Sequence, residues 1–184
     1  MSDVNALPPN LPVPEDDGAC DGLVGKSIPS LVLESSQGAV DFAELAAERL
    51  VLYVYPRAGR DEGPGWDAIP GARGCTPQAC AFRDHVAELR GLGALVAGLS
   101  AQSLAEQVRF AELNHMPFPI VSDETLRLRD ALGLPTFETT GDVLYKRVTV
   151  IAERRSIVKV FYPVFPPDRN AADVVAWLDE RAAG

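Results

Sequence analysis

The stretch Gly74-Cys75-Thr76-Pro77-Gln78-Ala79-Cys80 places two thiols five residues apart where a helix is predicted to begin. Pro77 suits the first turn of a helix, because its missing N–H removes no hydrogen bond there. Thr76 before it belongs to the residue types that commonly cap helices. The pattern therefore predicts that Cys75 lies at the N-terminal end of a helix.

The residues after this stretch continue the helical pattern. Phe82, Val86 and Leu89 recur at three-to-four spacing, which is typical of one buried stripe along a helix. Gly91 follows the last of them and is predicted to end the helix.

The two thiols are expected to differ in reactivity. Free N–H groups and the positive end of the helix dipole stabilise an anion at a helix N-terminus, so they favour the thiolate of Cys75. Cys80 lies more than one turn further on, where the dipole helps less and neighbouring side chains shield the sulfur. Cys75 is therefore the candidate nucleophile.

Composition limits the architecture. The chain has 184 residues, of which 47% are hydrophobic and 23% charged, and no apolar run is long enough to span a membrane. Residues 1–18 contain four prolines and an acidic patch, which predicts an extended N-terminal arm without helix or strand. We expect one globular domain over residues 19–184.

Charge and cysteine usage restrict the partners and the compartment. A net charge of −9 and a pI near 4.7 disfavour binding to nucleic acid and to anionic membranes. The N-terminus has neither the basic nor the apolar region of a signal peptide, so a cytoplasmic location is expected. Three cysteines in a reducing compartment indicate chemistry more than structural disulfides.

The order of predicted elements indicates an α/β thioredoxin-like fold with a central mixed sheet, flanking helices and an N-terminal hairpin. Leu50 to Tyr55 form a continuous apolar run ended by Pro56, as in a strand buried on both faces. Alternating strands and helices then predict parallel pairing with right-handed crossovers. The other predicted segments are a hairpin at residues 30–42, a helix at 45–48, a strand at 94–100, a helix at 103–114, a strand at 118–121, a helix at 124–132, a hairpin at 148–161 and a helix at 173–181.

Several motifs together resemble one known family. They are Tyr55-Pro56 at a strand end, the C-x4-C stretch followed by Phe82-Arg83-Asp84, Pro117-Phe118-Pro119, and Lys146-Arg147-Val148-Thr149. The chain resembles peroxiredoxins of the Q, or bacterioferritin-comigratory-protein, subfamily from about Val24 to its C-terminus.

The resemblance implies roles for particular residues. Cys75 would be the peroxidatic cysteine and Cys80 the resolving cysteine that forms a disulfide with it. Arg147 would hold the thiolate and polarise the peroxide. Pro56, Gly74 and Thr76 would contribute to the substrate site.

The implied activity is thiol-dependent reduction of hydrogen peroxide or organic hydroperoxides, without metal or prosthetic group. A sulfenic acid on the first cysteine would condense with the second thiol, and thioredoxin or another dithiol would reduce the disulfide. The resemblance favours a monomer, and a dimer stays open.

Two features depart from the family pattern. The family carries a threonine three residues before the reactive cysteine, whereas this chain has Ala72. Residues 59–69, from Gly59 to Ile69, form an insertion that contains Trp66. Thr76, Arg73 or a backbone group could replace the missing hydroxyl, and Trp66 is expected to anchor the loop by burying its ring.

Other interpretations stay open from the residues alone. A thiol-disulfide oxidoreductase is disfavoured because that chemistry usually uses C-x-x-C. A redox-sensing binding protein would need only stoichiometric oxidation. Zinc binding would depend on His85 and His115, which lack ligand spacing to the cysteines. Two buried packing cysteines are the remaining alternative, and Cys20 is expected to be a bystander thiol.

Overall fold

The computed structural model describes residues 6–184, apart from the side chain of Pro64. The strands are β1 (Val32–Ser35), β2 (Gly38–Asp41), β3 (Arg49–Val54), β4 (Leu95–Ser100), β5 (Ile120–Ser122), β6 (Thr136–Thr139), β7 (Asp142–Tyr145), β8 (Val148–Glu153) and β9 (Ser156–Phe161). The helices are α1 (Phe42–Leu45), α2 (Pro64–Asp67), α3 (Cys75–Asp84), α4 (Val86–Gly91), α5 (Leu104–Leu113), α6 (Arg127–Leu132) and α7 (Asn170–Ala183), with a 3₁₀ turn at Pro167–Arg169 before α7.

Seven strands form one mixed sheet in the order β2-β1-β5-β4-β3-β8-β9, and β6 pairs with β7 separately. Strands β3, β4 and β5 run parallel, while β8 joins β3 antiparallel. The parallel pairs follow from the helical crossovers between those strands. This confirms the predicted thioredoxin-like fold, with β1 and β2 as its N-terminal hairpin.

Strand β3 lies at the centre of the core. Leu50, Leu52 and Val54 belong to the hydrophobic cluster on one face of the sheet, whereas Val51 and Tyr53 belong to the cluster on the other. All five are fully buried. Successive side chains of a strand point to opposite faces, so a continuous apolar run is what a strand covered on both sides requires.

The first helix begins three residues before its predicted position at residues 45–48. Helix α1 covers Phe42–Leu45 because Asp41 caps it, with a side-chain oxygen 2.8 Å from the N–H of Ala43. The capping aspartate at the end of β2 was the missed signal.

The helix at the cysteines differs from the prediction at two points. Its N-cap is Gly74 and not Thr76, which is the second residue of α3. The helix also does not run unbroken to Gly91, because the backbone leaves helical geometry at His85 (φ −94°, ψ 4°) and α4 begins at the next residue. Phe82 and Leu89, on either side of this break, are both fully buried.

The other predicted helices are present with shifted ends. Ser103 caps α5 as expected, in a reciprocal capping box with Glu106. Gly133, at φ 80°, ends α6 in the left-handed conformation that favours glycine. Helix α7 begins three residues earlier than predicted.

The sequence analysis missed α2 and the hairpin of β6 and β7. The hairpin turns at Thr140 and Gly141, which both have positive φ. Trp66 of α2 packs with Leu144 and Phe137 of this hairpin and with Ala72, three residues before α3 begins.

The described part of the N-terminal arm, residues 6–18, contains no helix or strand, and residues 1–5 lie outside the description. Asp17 ties the arm to the domain through Lys146 at 2.7 Å and the hydroxyl of Tyr162 at 2.8 Å. Among residues 6–184, no helix has the length and apolar character required to cross a bilayer.

Candidate active site

Cys75 is the first residue of α3, and Gly74 before it determines where the helix begins. Gly74 has φ 106°, a conformation that a side chain disfavours. A Cβ at this position would also lie 2.5 Å from Cγ of Pro167 and 2.8 Å from Cδ2 of Leu7. The carbonyl of Gly74 accepts from the N–H of Gln78 at 3.0 Å. Glycine is therefore required for the helix to start at the cysteine.

The sulfur of Cys75 has two polar neighbours. Nη2 of Arg147 lies 3.1 Å from Sγ, and the carbonyl oxygen of Ala72 lies 3.6 Å from it, within reach of the S–H. Cys75 is only 4% exposed. A guanidinium and a helix N-terminus at one sulfur both favour its anionic form, which is the nucleophilic form of a cysteine.

The guanidinium of Arg147 is held by the backbone before Cys75. Its Nε donates to the carbonyl of Gly71 at 3.3 Å, and its Nη2 donates to those of Ala72 at 3.0 Å and Arg73 at 3.3 Å. Arg147 is 4% exposed. The fixed carbonyl dipoles stabilise this buried cation and set the orientation of its guanidinium group.

A buried amide network supports Arg147 from the other side, and the sequence analysis did not find it. Nη1 of Arg147 donates to Oε1 of Gln78 at 2.6 Å, and Nε2 of Gln78 donates to Oδ1 of Asn170 at 3.1 Å. The hydroxyl of Thr149 donates to the same oxygen of Asn170 at 2.7 Å. The available signal was an amide at Gln78, one turn after the cysteine, inside an otherwise apolar helix face.

Cys80 lies on the same helix, and no disulfide joins it to Cys75. It is partly exposed, and its Sγ lies 3.9 Å from Oδ1 of Asn114. The pKa of the Cys80 thiol is raised above its ordinary value. Burial is the main cause; the nearby Arg83 opposes it and Asp84 adds to it. A raised pKa favours the protonated form of the Cys80 thiol at neutral pH.

Cys75 opens into a cavity of about 690 Å³ whose lining includes Gly74 and Thr76. Pro56 lines a separate cavity of about 270 Å³, together with Arg147 and Gly71. The structure thus brings Gly74 and Thr76 to the cavity of Cys75 and places Pro56 at the neighbouring one.

The insertion packs against this site. Trp66 in α2 is buried, as predicted, and it forms a hydrophobic cluster with Ala72 and Leu144. It also lines the cavity of Cys75. The backbone carbonyl of Ala72, and no side-chain hydroxyl, contacts the Cys75 thiol at the position where the family pattern has threonine.

Cys20 is buried in the hydrophobic cluster on the opposite face of the sheet from Cys75. Burial and the nearby carboxylates of Asp17, Asp16 and Asp21 raise the pKa of its thiol to about 12. A thiol with this pKa is protonated and unreactive at neutral pH.

Within residues 6–184, no group of three or more histidine, cysteine, aspartate or glutamate side chains is placed to hold a metal ion. The polar groups that meet at Cys75 are a thiol, a guanidinium, amides and carbonyls. These groups suit nucleophilic sulfur chemistry.

Comparison with known proteins identifies the family. The Redoxin family model matches residues 23–176. The chain is 30% identical to chloroplastic peroxiredoxin Q of Triticum aestivum over 172 residues, which cover 89% of this chain and 73% of the relative. It is 26% identical to a putative peroxiredoxin bcp of Coxiella burnetii, covering 84% and 97% of the two chains.

A solved structure agrees with these sequence relatives. The crystal structure of peroxidoxin BcpB from Mycobacterium tuberculosis superposes with a TM-score of 0.70 at 25% identity, over 85% of this chain and 96% of that one. The chain therefore belongs to the Redoxin family, within its peroxiredoxin Q subfamily of thiol peroxidases.

Proposed function

We propose that Cys75 is the thiol that peroxide oxidises, with Arg147 as the group that activates it. The observation that carries this proposal is the 3.1 Å contact between Nη2 of Arg147 and Sγ of Cys75 at the first residue of α3. Burial raises the pKa of the Cys80 thiol, which disfavours its nucleophilic form. Cys20 is buried in another cluster, with a pKa of about 12.

The first step is attack by the Cys75 thiolate on one oxygen of the hydroperoxide. An S–O bond forms while the O–O bond breaks, and the leaving oxygen departs as hydroxide or alkoxide and takes a proton to become water or alcohol. Charge develops on that oxygen, where the guanidinium and helix N–H groups stabilise it. The product on the protein is a sulfenic acid at Cys75.

The second step is resolution by Cys80. Its sulfur attacks the sulfenic sulfur, the S–O bond breaks, and the hydroxyl leaves as water with the Cys80 proton. The resulting Cys75–Cys80 disulfide is then reduced by two thiol–disulfide exchanges with thioredoxin or a similar dithiol. Each cycle consumes one peroxide and one dithiol and needs no metal.

The size of the cavity supports organic hydroperoxides as substrates alongside hydrogen peroxide. At about 690 Å³ it is far larger than hydrogen peroxide requires, and its lining includes the apolar side chains of Ala58, Trp66, Phe110 and Leu113. We propose a monomer as the functional unit and the cytoplasm, where dithiol reductants operate, as its compartment.

The experiment that tests this function is steady-state peroxide reduction by the full chain. Hydrogen peroxide and a series of organic hydroperoxides would each be supplied with either a thioredoxin system or glutathione. We expect turnover that requires the dithiol and is lost in Cys75→Ser. Oxidation that stops after one equivalent of peroxide with every reductant would instead favour a redox sensor.

A further inference from the structure

Three consecutive carbonyls control the geometry of the reacting groups. The carbonyls of Gly71, Ala72 and Arg73 all accept from the guanidinium of Arg147. The Ala72 carbonyl also accepts from the thiol of Cys75. Any movement of residues 71–73 therefore changes the position of both the cation and the sulfur.

This backbone is fixed by packing from the insertion. The Ala72 side chain is 1% exposed and lies in the cluster formed with Trp66 and Leu144, while Ile69 and Phe137 pack around it. The backbone links the same residues, since Ile69 donates its N–H to Trp66 and Ala72 donates its N–H to Ile69, each at 3.1 Å.

The Trp66 ring is itself held on two sides. The guanidinium of Arg57 lies 5.1 Å from the ring centroid, and the ring of Phe137 lies at 6.4 Å. Arg57 bridges the insertion and the β6–β7 hairpin, because it donates to Glu62 at 2.7 Å and to Asp142 at 2.8 Å. Burial opposes the charge of Arg57, but these hydrogen bonds outweigh it and raise its pKa. The indole therefore has a fixed place beside Ala72.

We propose that Trp66 is a positioning residue, which fixes residues 71–73 through Ala72 and so holds Arg147 on the Cys75 sulfur. This inference rests on the proposed function. The insertion then compensates for the absence of a hydroxyl at position 72 by apolar packing, which immobilises the backbone that holds the guanidinium. It also predicts that positions 66 and 72 are coupled, because a larger side chain at 72 meets the indole.

The first readout of the test measures Cys75 without any peroxide. The rate of alkylation of Cys75 by iodoacetamide is followed as a function of pH, with the modified site identified by peptide mapping. In Trp66→Ala we expect alkylation of Cys75 to slow near neutral pH, because the displaced guanidinium no longer contacts the sulfur. We also expect oxidation by hydrogen peroxide to slow about tenfold to a hundredfold, as misplacement of reacting groups typically does.

Three further variants keep this test decisive. Trp66→Phe retains an aromatic ring on Ala72 and is expected to keep the alkylation curve of Cys75 near that of wild type. Trp177→Ala removes the other tryptophan, which lies on α7 beside Arg181, and is expected to leave the alkylation curve unchanged. As a single change, Ala72→Thr is expected to slow the oxidation of Cys75. In the Trp66→Ala background the same change is expected to slow oxidation less, because removal of the indole leaves space for the threonine.

The outcomes separate this inference from the proposed function. If wild type itself shows no Cys75-dependent peroxide consumption, the proposed function fails. If wild type is active and folded Trp66→Ala keeps the wild-type alkylation curve, the positioning role is wrong. A higher KM for bulky hydroperoxides with an unchanged alkylation curve would likewise overturn it and make Trp66 a substrate contact. Independent effects of Trp66→Ala and Ala72→Thr would also contradict it.

Discussion

Arg147 and Cys75 are separated by 72 residues in the chain, yet Nη2 of the arginine lies 3.1 Å from the sulfur. The arginine immediately precedes β8, which pairs antiparallel with the central strand β3. The cysteine begins α3, whose Phe82 stacks on Tyr53 of β3. The sheet therefore sets the distance between the cation and the nucleophile. Local sequence contributes the glycine that lets the helix start at the sulfur.

Replacing Arg147 with methionine removes this cation while keeping a side chain of similar length. We expect oxidation of Cys75 to slow by about a hundredfold or more, as when a donor to a developing charge is lost. Stopped-flow measurement of thiol loss with hydrogen peroxide checks this. Arg127→Met, at an exposed arginine whose side chain donates to the carbonyl of Val32 at 3.2 Å, is the control and is expected to behave as wild type. Equal rates in the two variants would show that Arg147 does not act on the sulfur.

Replacing Asn170 with leucine tests the buried amide network. Two donors, from Gln78 and Thr149, lose their acceptor, and each unsatisfied group costs about 1 to 3 kcal/mol of folding free energy. We also expect slower oxidation, because Gln78 no longer holds the guanidinium. Urea unfolding and stopped-flow oxidation measure the two effects.

Thr149→Val is the matched control for that network. It removes one donor and leaves the Asn170–Gln78 bond in place, so stability is expected to fall by about 1 kcal/mol with oxidation nearly unchanged. If Thr149→Val lost its oxidation rate completely while Gln78 stayed bonded to Asn170, the network would affect that rate by a route other than the Asn170–Gln78 bond.

Much of this account follows from sequence, but the parts that depend on long-range packing do not. The buried strand at Leu50 to Tyr55, the cysteine at a helix start and the Ser103 cap are local signals, and the sequence predicted them. No proline or glycine next to His85 signals the helix break at this residue. The Gln78–Asn170 bond joins residues 92 apart, so only the folded chain reveals it.

Because the pKa of the Cys20 thiol is raised, we expect the folded protein to lose stability at alkaline pH. This thiol has a pKa of about 12 in the folded protein, against an ordinary value of 9.0. The folded state therefore holds this proton more tightly, so the contribution is complete below about pH 9 and is lost as the pH rises toward 12. Since each pKa unit corresponds to about 1.4 kcal/mol, the loss amounts to a few kcal/mol.

Urea unfolding of wild type and Cys20→Ala between pH 7 and 11 measures this contribution. Burial also raises the pKa of Tyr145 and Tyr162 above the ordinary value, so some alkaline loss persists in the variant. We expect a shallower slope in Cys20→Ala and unchanged peroxide turnover at neutral pH. Parallel slopes would contradict the protonation argument, and lost turnover would contradict the bystander role.

Disulfide formation between Cys75 and Cys80 requires α3 to open. Both residues lie in α3, and five residues of helix rise by about 7.5 Å, beyond the roughly 7 Å Cα separation that a disulfide tolerates. Opening also separates Phe82 from Tyr53, whose rings now stack at 4.5 Å.

Hydrogen exchange of the oxidised protein should show this opening. Amides of residues 76–84 are expected to exchange faster than in the reduced protein, with a modest loss of helical circular dichroism. Cys80→Ser treated with peroxide is the control, because it cannot form the disulfide and should keep slow exchange. A mapped Cys75–Cys80 disulfide with exchange as slow as in the reduced state would refute the opening.

The most direct test of the central claim is to identify the sulfur that peroxide oxidises first. Cys80→Ser protein would receive one equivalent of hydrogen peroxide and then dimedone, and the labelled residue would be mapped by mass spectrometry. The account predicts one sulfenic acid adduct, on Cys75, and no adduct on Cys20. A first adduct on Cys20, or peroxide consumed with Cys75 still a free thiol, would contradict the assignment of Cys75.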